Sequence, residues 1–239
     1  MPAKASRRKN KRNPLKVKKL KIKKKAKEQS LGVTRLVRKY WRQRYDLFSR
    51  YDEGIELDEE GWYSVTPECI AVRHAERSEG GVVVDCFTGC GGNAIQFAAM
   101  GNHVIAIDID PLKVALAYNN AVVYGVEDYI EFIVGDFFQL APSLKGDIVF
   151  LSPPWGGPSY IQSQKFMLDM LKPKDGWSLF QAAQRITPNI IMFLPRNVDI
   201  DQVAQLSWLS SPPLDVEIEE NYVGGNRKAI TAYFGDATN

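Results

Sequence analysis

GVVVDCFTGCGGNAIQFAAMGNHVIAIDIDP, residues 81–111, decides how this 239-residue chain folds. A short β-branched run, Val82 to Asp85, gives way to Gly89, Gly91 and Gly92 and then to a helical stretch, Asn93 to Met100, closed by Gly101. A second apolar run, Val104 to Asp108, follows at once, and Asp110-Pro111 opens another helix reaching Gly125. This alternation predicts parallel strands joined by crossover helices, because parallel neighbours need a long connection. Downstream, Ile130 to Val134, Ile148 to Leu151 and Ile190 to Leu194 read as further strands, with helices near Trp177 to Arg185 and Ile200 to Leu209. Val216 to Tyr222 and Ala229 to Phe234, joined through Gly224-Gly225-Asn226, read as an antiparallel hairpin. The expected fold class is α/β: a doubly wound sheet ending in an antiparallel hairpin and preceded by a helical extension.

Upstream, Val33 to Arg50 spaces Val33, Leu36, Val37, Tyr40, Trp41, Leu47 and Phe48 near helical periodicity, with arginines between them. This predicts a basic helix with an aromatic face, suited either to cap a pocket or to dock on a core. Thr66-Pro67-Glu68 predicts a helix start, with a hydroxyl cap, proline at the first helical position and an acid in the first turn. Three segments are therefore expected: a disordered basic tail over 1–30, a helical extension over 31–80 that closes the active site, and a core over 81–239.

Charge divides the same way. Residues 1–50 hold 20 of the 31 Lys and Arg and 2 of the 28 Asp and Glu, so +18 at one end is set against −15 in the rest. A tail this basic cannot bury enough apolar surface to fold, and it suits a polyanion: RNA, or an import receptor's acidic surface. No apolar run is long enough for a membrane span or a secretory signal. Cys69, Cys86 and Cys90 form no CxxC pair and the histidines number two, so the expectation is no metal and buried, reduced thiols.

In a doubly wound sheet, ligands bind outside the carboxyl ends of the strands. Three successive ends carry an aspartate: Asp85 before the glycine-rich turn containing Phe87 and Gly89, Asp108, and Asp136. Asp108 suits a ribose diol and Asp136 an adenine amine. The turn lacks the Lys and Ser/Thr of a P-loop and is not a full GxGxxG. An adenosine without phosphates, S-adenosylmethionine, therefore fits better than NAD. The competing reading is that these aspartates only cap helices, as Asp110 is expected to do.

Ser152-Pro153-Pro154-Trp155 follows the strand ending at Leu151. Two prolines fix two φ angles and remove two donors, leaving carbonyl oxygens to accept from an exocyclic amine, while Trp155 offers a ring face to a nucleobase. A proline-rich turn with a core tryptophan is the plain alternative. With a methyl donor alongside, the ledge aligns an amine for direct displacement, where orientation and desolvation supply most of the acceleration.

Several longer motifs occur in order: Tyr40-Trp41-x-Gln43-Arg44-Tyr45, Ser64-Val65-Thr66-Pro67-Glu68, Ala106-Ile107-Asp108-Ile109-Asp110-Pro111, Ser152 to Pro158, Leu194-Pro195-Arg196-Asn197 and Ile230 to Asp236. Together they span about Lys39 to Asp236, and over this span the chain resembles the trimethylguanosine synthases, which hypermethylate the caps of small nuclear and nucleolar RNAs. The resemblance implies a Rossmann-like class I methyltransferase sheet and two methyl transfers from S-adenosylmethionine to N2 of 7-methylguanosine. By the same analogy Phe48, Thr66, Asp85, Phe87, Gly89, Asp108 and Asp136 bind the cofactor. Ser152, Pro153 and Trp155 form the catalytic ledge. Asn120 reaches the base edge, and Lys39, Tyr160 and Arg196 meet the cap phosphates. It implies a monomer acting on 7-methylguanosine-capped RNA in the nucleus, nucleolus or Cajal body, with the cytoplasm as a further compartment. Two other functions are weighed: an amino-methyltransferase acting on an internal base of RNA or DNA, and a non-catalytic RNA-binding protein.

Overall fold

The computed structural model describes residues 37–78 and 80–238. The tail expected over 1–30 and the start of the helix expected from Val33 lie outside the described residues. From Tyr40 onward the chain is one compact unit.

Seven strands form one sheet in the order β3-β2-β1-β4-β5-β7-β6: β1 (Val82–Asp85), β2 (His103–Asp108), β3 (Ile130–Val134), β4 (Ile148–Leu151), β5 (Ile190–Pro195), β6 (Val216–Val223) and β7 (Asn226–Phe234). The first five run parallel, and β7 inserts antiparallel between β5 and β6. The sequence marks the hairpin but not that its second strand is the one that joins the sheet. Burial explains that order: β7 is buried from Ala229 to Phe234, whereas β6 is mostly half-exposed. The more apolar strand takes the inner position. Gly224 and Gly225 turn the hairpin with φ of +55° and +78°, the mirror-image geometry that matches strand twist.

The helices are α1 (Val37–Trp41), α2 (Arg44–Leu47), α3 (Gly61–Ser64), α4 (Glu68–Glu76), α5 (Gly92–Ala99), α6 (Pro111–Tyr124), α7 (Phe137–Leu140), α8 (Gly176–Gln184) and α9 (Ile200–Gln205). Asp110 caps α6 through the Leu112 amide, and Gly125 ends it at φ +70°. Two expectations need correction. The continuous helix expected to Arg50 breaks at Arg42-Gln43, because the Arg44 guanidinium donates to the Trp41 carbonyl at 3.1 Å and Trp41 turns inward against Trp62 and Tyr51. The helix after Thr66 starts at Glu68 with Pro67 as its cap residue, and no side chain caps it.

Val84, Val149, Leu151, Met192 and Leu194 pack under α8 and α9. The opposite face meets α4 and α5, where Phe97 lies edge-on to Phe150 and His74 contacts Phe150 and Phe193. His74 is fully buried, and burial drives its pKa down to about 3. The Asn93 amide meets Nδ1 at 2.8 Å, so the neutral ring donates from Nε2 to Thr231 Oγ1 at 2.8 Å. Each such fully buried aliphatic or aromatic side chain contributes roughly 1.5–3 kcal/mol.

Gly91 sits at φ +87°, and a Cβ there would stand 3.1 Å from Ala117 Cα. Gly91→Ala is expected to destabilise the protein by about 1–3 kcal/mol, from left-handed strain and overpacking together. Urea unfolding measures this, and an unchanged midpoint would contradict the assigned backbone.

Candidate active site

The connections from β1 and β4 leave in opposite directions along the sheet, so their carboxyl ends border the crevice where strand order reverses. The last rung between them is the Cys86 amide donating to the Phe150 carbonyl at 3.1 Å. Immediately beyond it lie the glycine-rich turn on one side and Ser152 on the other.

Asp85 is 1% exposed. Burial pushes its carboxyl up to about 7, with the Thr88 hydroxyl and the Phe87 amide pulling back and Asp108 adding to the rise. Asp85 Oδ1 and Thr88 Oγ1 are both buried without a hydrogen-bond partner among the described residues; Thr88 stands near the carboxylate but does not meet hydrogen-bond geometry. A buried acceptor left this way calls for donors from a ligand. Gly89, at φ +52°, has open space where a Cβ would stand, so the backbone can approach that ligand closely.

Asp108 takes the Gly89 amide on Oδ2 at 2.9 Å and the Asp110 amide on Oδ1 at 3.0 Å. Burial raises its carboxyl, and these two amides partly offset the rise. Each oxygen keeps a lone pair for a diol. Asp136 does cap α7, accepting from the Phe138 amide at 2.9 Å, so the capping alternative holds for this residue; Oδ2 meets only Gln139, at 3.4 Å. Phe87 is half-buried against Phe137.

The ledge is joined to the turn, since Ser152 Oγ donates to the Phe87 carbonyl at 3.2 Å. Pro153 is buried and its carbonyl takes no hydrogen bond from the described residues, whereas that of Pro154 accepts from the Lys172 amide. Trp155 is half-exposed and packs against the edge of the core, edge-on to Tyr160 at 5.3 Å and tilted against Phe193 at 5.3 Å. The Tyr160 phenol is raised by burial, with Arg196 opposing and Tyr40 reinforcing the shift, and its ring lies edge-on to Trp155.

Asn120 differs from expectation. It is fully buried, and its amide is spent: Nδ2 donates to the Glu56 and Cys90 carbonyls at 3.0 and 2.9 Å, while Oδ1 accepts from the Glu56 and Asn119 nitrogens. With four partners inside the protein it ties the extension to the glycine-rich turn and has no capacity left for a base edge. Sequence reasoning also missed the neighbouring ion pair. Lys113 Nζ, on a side chain 8% exposed, lies 2.9 Å from Asp58 and 3.3 Å from Glu60, and Cys90 Sγ contacts Asp58 at 3.6 Å. Burial opposes the Asp58 charge, but the Lys113 and Gly61 hydrogen bonds outweigh it and hold that carboxyl low.

Phe48 and Thr66 are both buried, and the Val65-Thr66 segment presses on Gly92, where a Cβ would meet Val65 at 2.7 Å. Ser49, beside Phe48, is latched to Glu68 through both its amide and hydroxyl at 2.7 Å, and Tyr124 donates to the same carboxylate. The side chain of Lys39 lies outside what is described. Cys69 is exposed, contrary to expectation, while Cys86 and Cys90 are buried. Among the described residues no group of three His, Cys, Asp or Glu is arranged for a metal, and no helix is long and apolar enough to cross a membrane.

The family model of RNA cap guanine-N2 methyltransferases matches residues 80–237. A trimethylguanosine synthase of Schizosaccharomyces pombe is 42% identical over 212 residues, covering 84% of this chain and 87% of that protein. A second, from Saccharomyces cerevisiae, is 38% identical over 184 residues, covering 70% of this chain and 57% of its own length. Among solved structures, a SAM-dependent methyltransferase from Agrobacterium tumefaciens aligns at TM-score 0.55 and 16% identity over 72% of this chain and 63% of its own. A Pyrococcus horikoshii protein aligns at TM-score 0.54 and 16% identity over 80% and 97%. At those identities the structural likeness shows the fold alone.

Asp85 gives the ligand-free protein a pH signature. Its folded pKa of about 7 lies above the unfolded carboxylate value, so the native state holds the extra proton and stability falls as pH rises from about 4 to 7. His74, held neutral, gives the opposite slope between about 3 and 6.5. The signature is therefore read as a difference: the stability of Asp85→Asn minus that of the native protein should grow steadily from pH 4 to 7. A pH-independent difference in urea unfolding would refute the buried carboxyl with a raised pKa.

Proposed function

Because the chain belongs to the RNA cap guanine-N2 methyltransferase family, we propose that it converts 7-methylguanosine caps of small nuclear and nucleolar RNAs to 2,2,7-trimethylguanosine, in two transfers. The methyl donor is S-adenosylmethionine, which supplies an electrophilic methyl group on a sulfonium together with an ammonium and a ribose diol. The residues present fit that set of groups. Asp85 Oδ1 and Thr88 Oγ1 await donors and Asp85 favours a cation; Asp108 keeps acceptors for the diol; Asp136 keeps Oδ2 for an adenine amine. Gly89 and Phe87 shape the turn, with Phe48 and Thr66 closing it from the extension.

The observation that carries the reading is the Ser152 to Phe87 hydrogen bond. It couples the amine-holding ledge to the cofactor turn within 3.2 Å, so the two reactants share one rigid frame. The Ser152 hydroxyl spends its proton on Phe87 and keeps lone pairs to accept from N2–H, and the unclaimed Pro153 carbonyl takes the second proton. Holding both protons localises the nitrogen lone pair that an aryl amine otherwise delocalises. Trp155 stacks on the base. Methylation at N7 leaves the base cationic, which adds roughly 0.5–2 kcal/mol of cation–π attraction over plain guanine. Tyr160 and Arg196, which interact electrostatically with each other, receive the cap phosphates, and the resemblance adds Lys39 to them. The proton departs to water, since among the described residues no strong base faces the ledge and a cationic purine releases it readily.

The basic tail over 1–30 engages RNA or an import receptor, consistent with a monomer working in the nucleus, nucleolus or Cajal body and with passage through the cytoplasm.

Mass-resolved methyl transfer to 7-methylguanosine diphosphate, with guanosine diphosphate beside it, tests the assignment. Gains of one and then two methyl groups on the former alone are expected. Trp155→Ala should raise KM for 7-methylguanosine diphosphate on the order of tenfold or more, the usual worth of a stacked base, and Ser152→Ala should lower kcat. Equal transfer to both nucleotides would transfer the case to an internal-base methyltransferase.

A further inference from the structure

After residue 50 the chain carries 26 acidic and 11 basic residues, a field that repels RNA. Five of the 11 bases are neutralised internally: Arg73, Arg77, Lys113, Lys165 and Arg227 all form ion pairs with carboxylates. Lys145 precedes β4 and Arg185 follows α8, both at the amino ends of the strands, away from the crevice. The other four, Lys172, Lys174, Arg196 and Lys228, lie at the crevice end, and none makes an ion pair among the described residues.

Their positions are fixed by the ledge itself. The Lys172 amide donates to the Pro154 carbonyl at 3.2 Å, which anchors an exposed Lys172-Pro173-Lys174 segment directly against the platform. Lys174 Nζ stands 4.2 Å from the centroid of the Phe138 ring, a contact that steadies the ammonium without neutralising it. On the other side Arg196 follows β5 next to Tyr160. Lys228 is the extra residue of a β-bulge, since Asn221 pairs with Ala229 and Tyr222 with Arg227, and Pro195 pairs with Ala229 beside it. Bulges of this kind re-aim a side chain at the rim of a site.

We propose that Lys172 and Lys174, with Lys228 across the ledge, form a phosphate-binding rim for the RNA chain beyond the cap. This rests on Trp155 as the cap platform, and it adds a second contact zone that distinguishes a capped RNA from a free cap nucleotide. An otherwise acidic core is thereby approached by a polyanion from one end only. The rim acts on affinity and orientation and leaves the chemistry to the ledge.

The test uses the full chain and fluorescence anisotropy of 20-nucleotide RNAs, with and without a 7-methylguanosine cap, over a salt series. Lys172→Gln, Lys174→Gln and the double variant are compared with Lys145→Gln plus Arg185→Gln, which changes net charge equally at the far end. The double rim variant should bind both RNAs about tenfold more weakly, and its salt slope should be shallower by about 1.4, the share of two phosphates on a single strand. The far-end variant should bind as the native protein does, with its KM for 7-methylguanosine diphosphate unchanged. Equal losses in rim and far-end variants, or an unchanged salt slope, would overturn the rim. The capped-to-uncapped affinity ratio of the native protein reads the cap platform separately: a ratio of one would overturn that reading while the salt slope still judges the lysines.

Discussion

The Cys86 amide bonded to the Phe150 carbonyl closes the β1–β4 ladder, and the site depends on it. Parallel pairing at this register sets Asp85 beside Phe150, so the cofactor turn and the ledge leave the sheet side by side at the same height. A one-residue slip would exchange the faces of β4 and carry Ser152 away from Phe87. Because both strands are buried on either face, the register is strongly determined. The Ser152 to Phe87 bond is a consequence of that register rather than an added feature.

A second layer of interactions fixes the extension to this frame. Cys90, inside the turn, is the joint: its carbonyl accepts from Asn120, its thiol contacts Asp58, and Asp58 is held by Lys113 and the Gly61 amide. Asn120 also grips the backbone of Glu56 at both its amide and carbonyl, a pattern that fixes position and angle together. The Ser49, Glu68 and Tyr124 cluster does the same for the segment carrying Phe48. Buried polar groups satisfied this fully specify one arrangement more than they stabilise it, since their desolvation offsets much of the gain. The extension is thereby tied by hydrogen bonds to the glycine-rich turn.

Electrostatics divides the two sides of the crevice at the carboxyl end of the sheet. Carboxylates gather around the turn, where Asp85 and Asp108 are raised by burial and suit a cationic, diol-bearing ligand. Lys172, Lys174, Arg196 and Lys228, which form no ion pair among the described residues, lie on the side of the crevice that carries Trp155. Carboxylates on one side and unpaired cations on the other thus flank the same crevice.

Fold class was legible in the sequence because hydrophobic period is local: Ile130–Val134 and Ile148–Leu151 read as strands from their own residues, and Asp110-Pro111 and Gly125 mark both ends of α6. The residue types of the site were legible for the same reason, since strand-end aspartates and a Ser-Pro-Pro-Trp turn carry their chemistry in sequence. What the tertiary structure decided was partnership. Asn120 is a polar residue on a helix until the fold surrounds it with Glu56 and Cys90, 64 and 30 residues away. Lys113 reads as a solvated charge until Asp58 arrives, and Lys228 as an ordinary strand residue until β6 pairs around it. The helix expected to reach Arg50 breaks where Trp41 packs on Trp62 and Tyr51, contacts that lie outside any local window. Local pattern sets which element a residue joins; burial and long-range hydrogen bonding, which no local window contains, set whether its side chain serves a ligand or the protein itself.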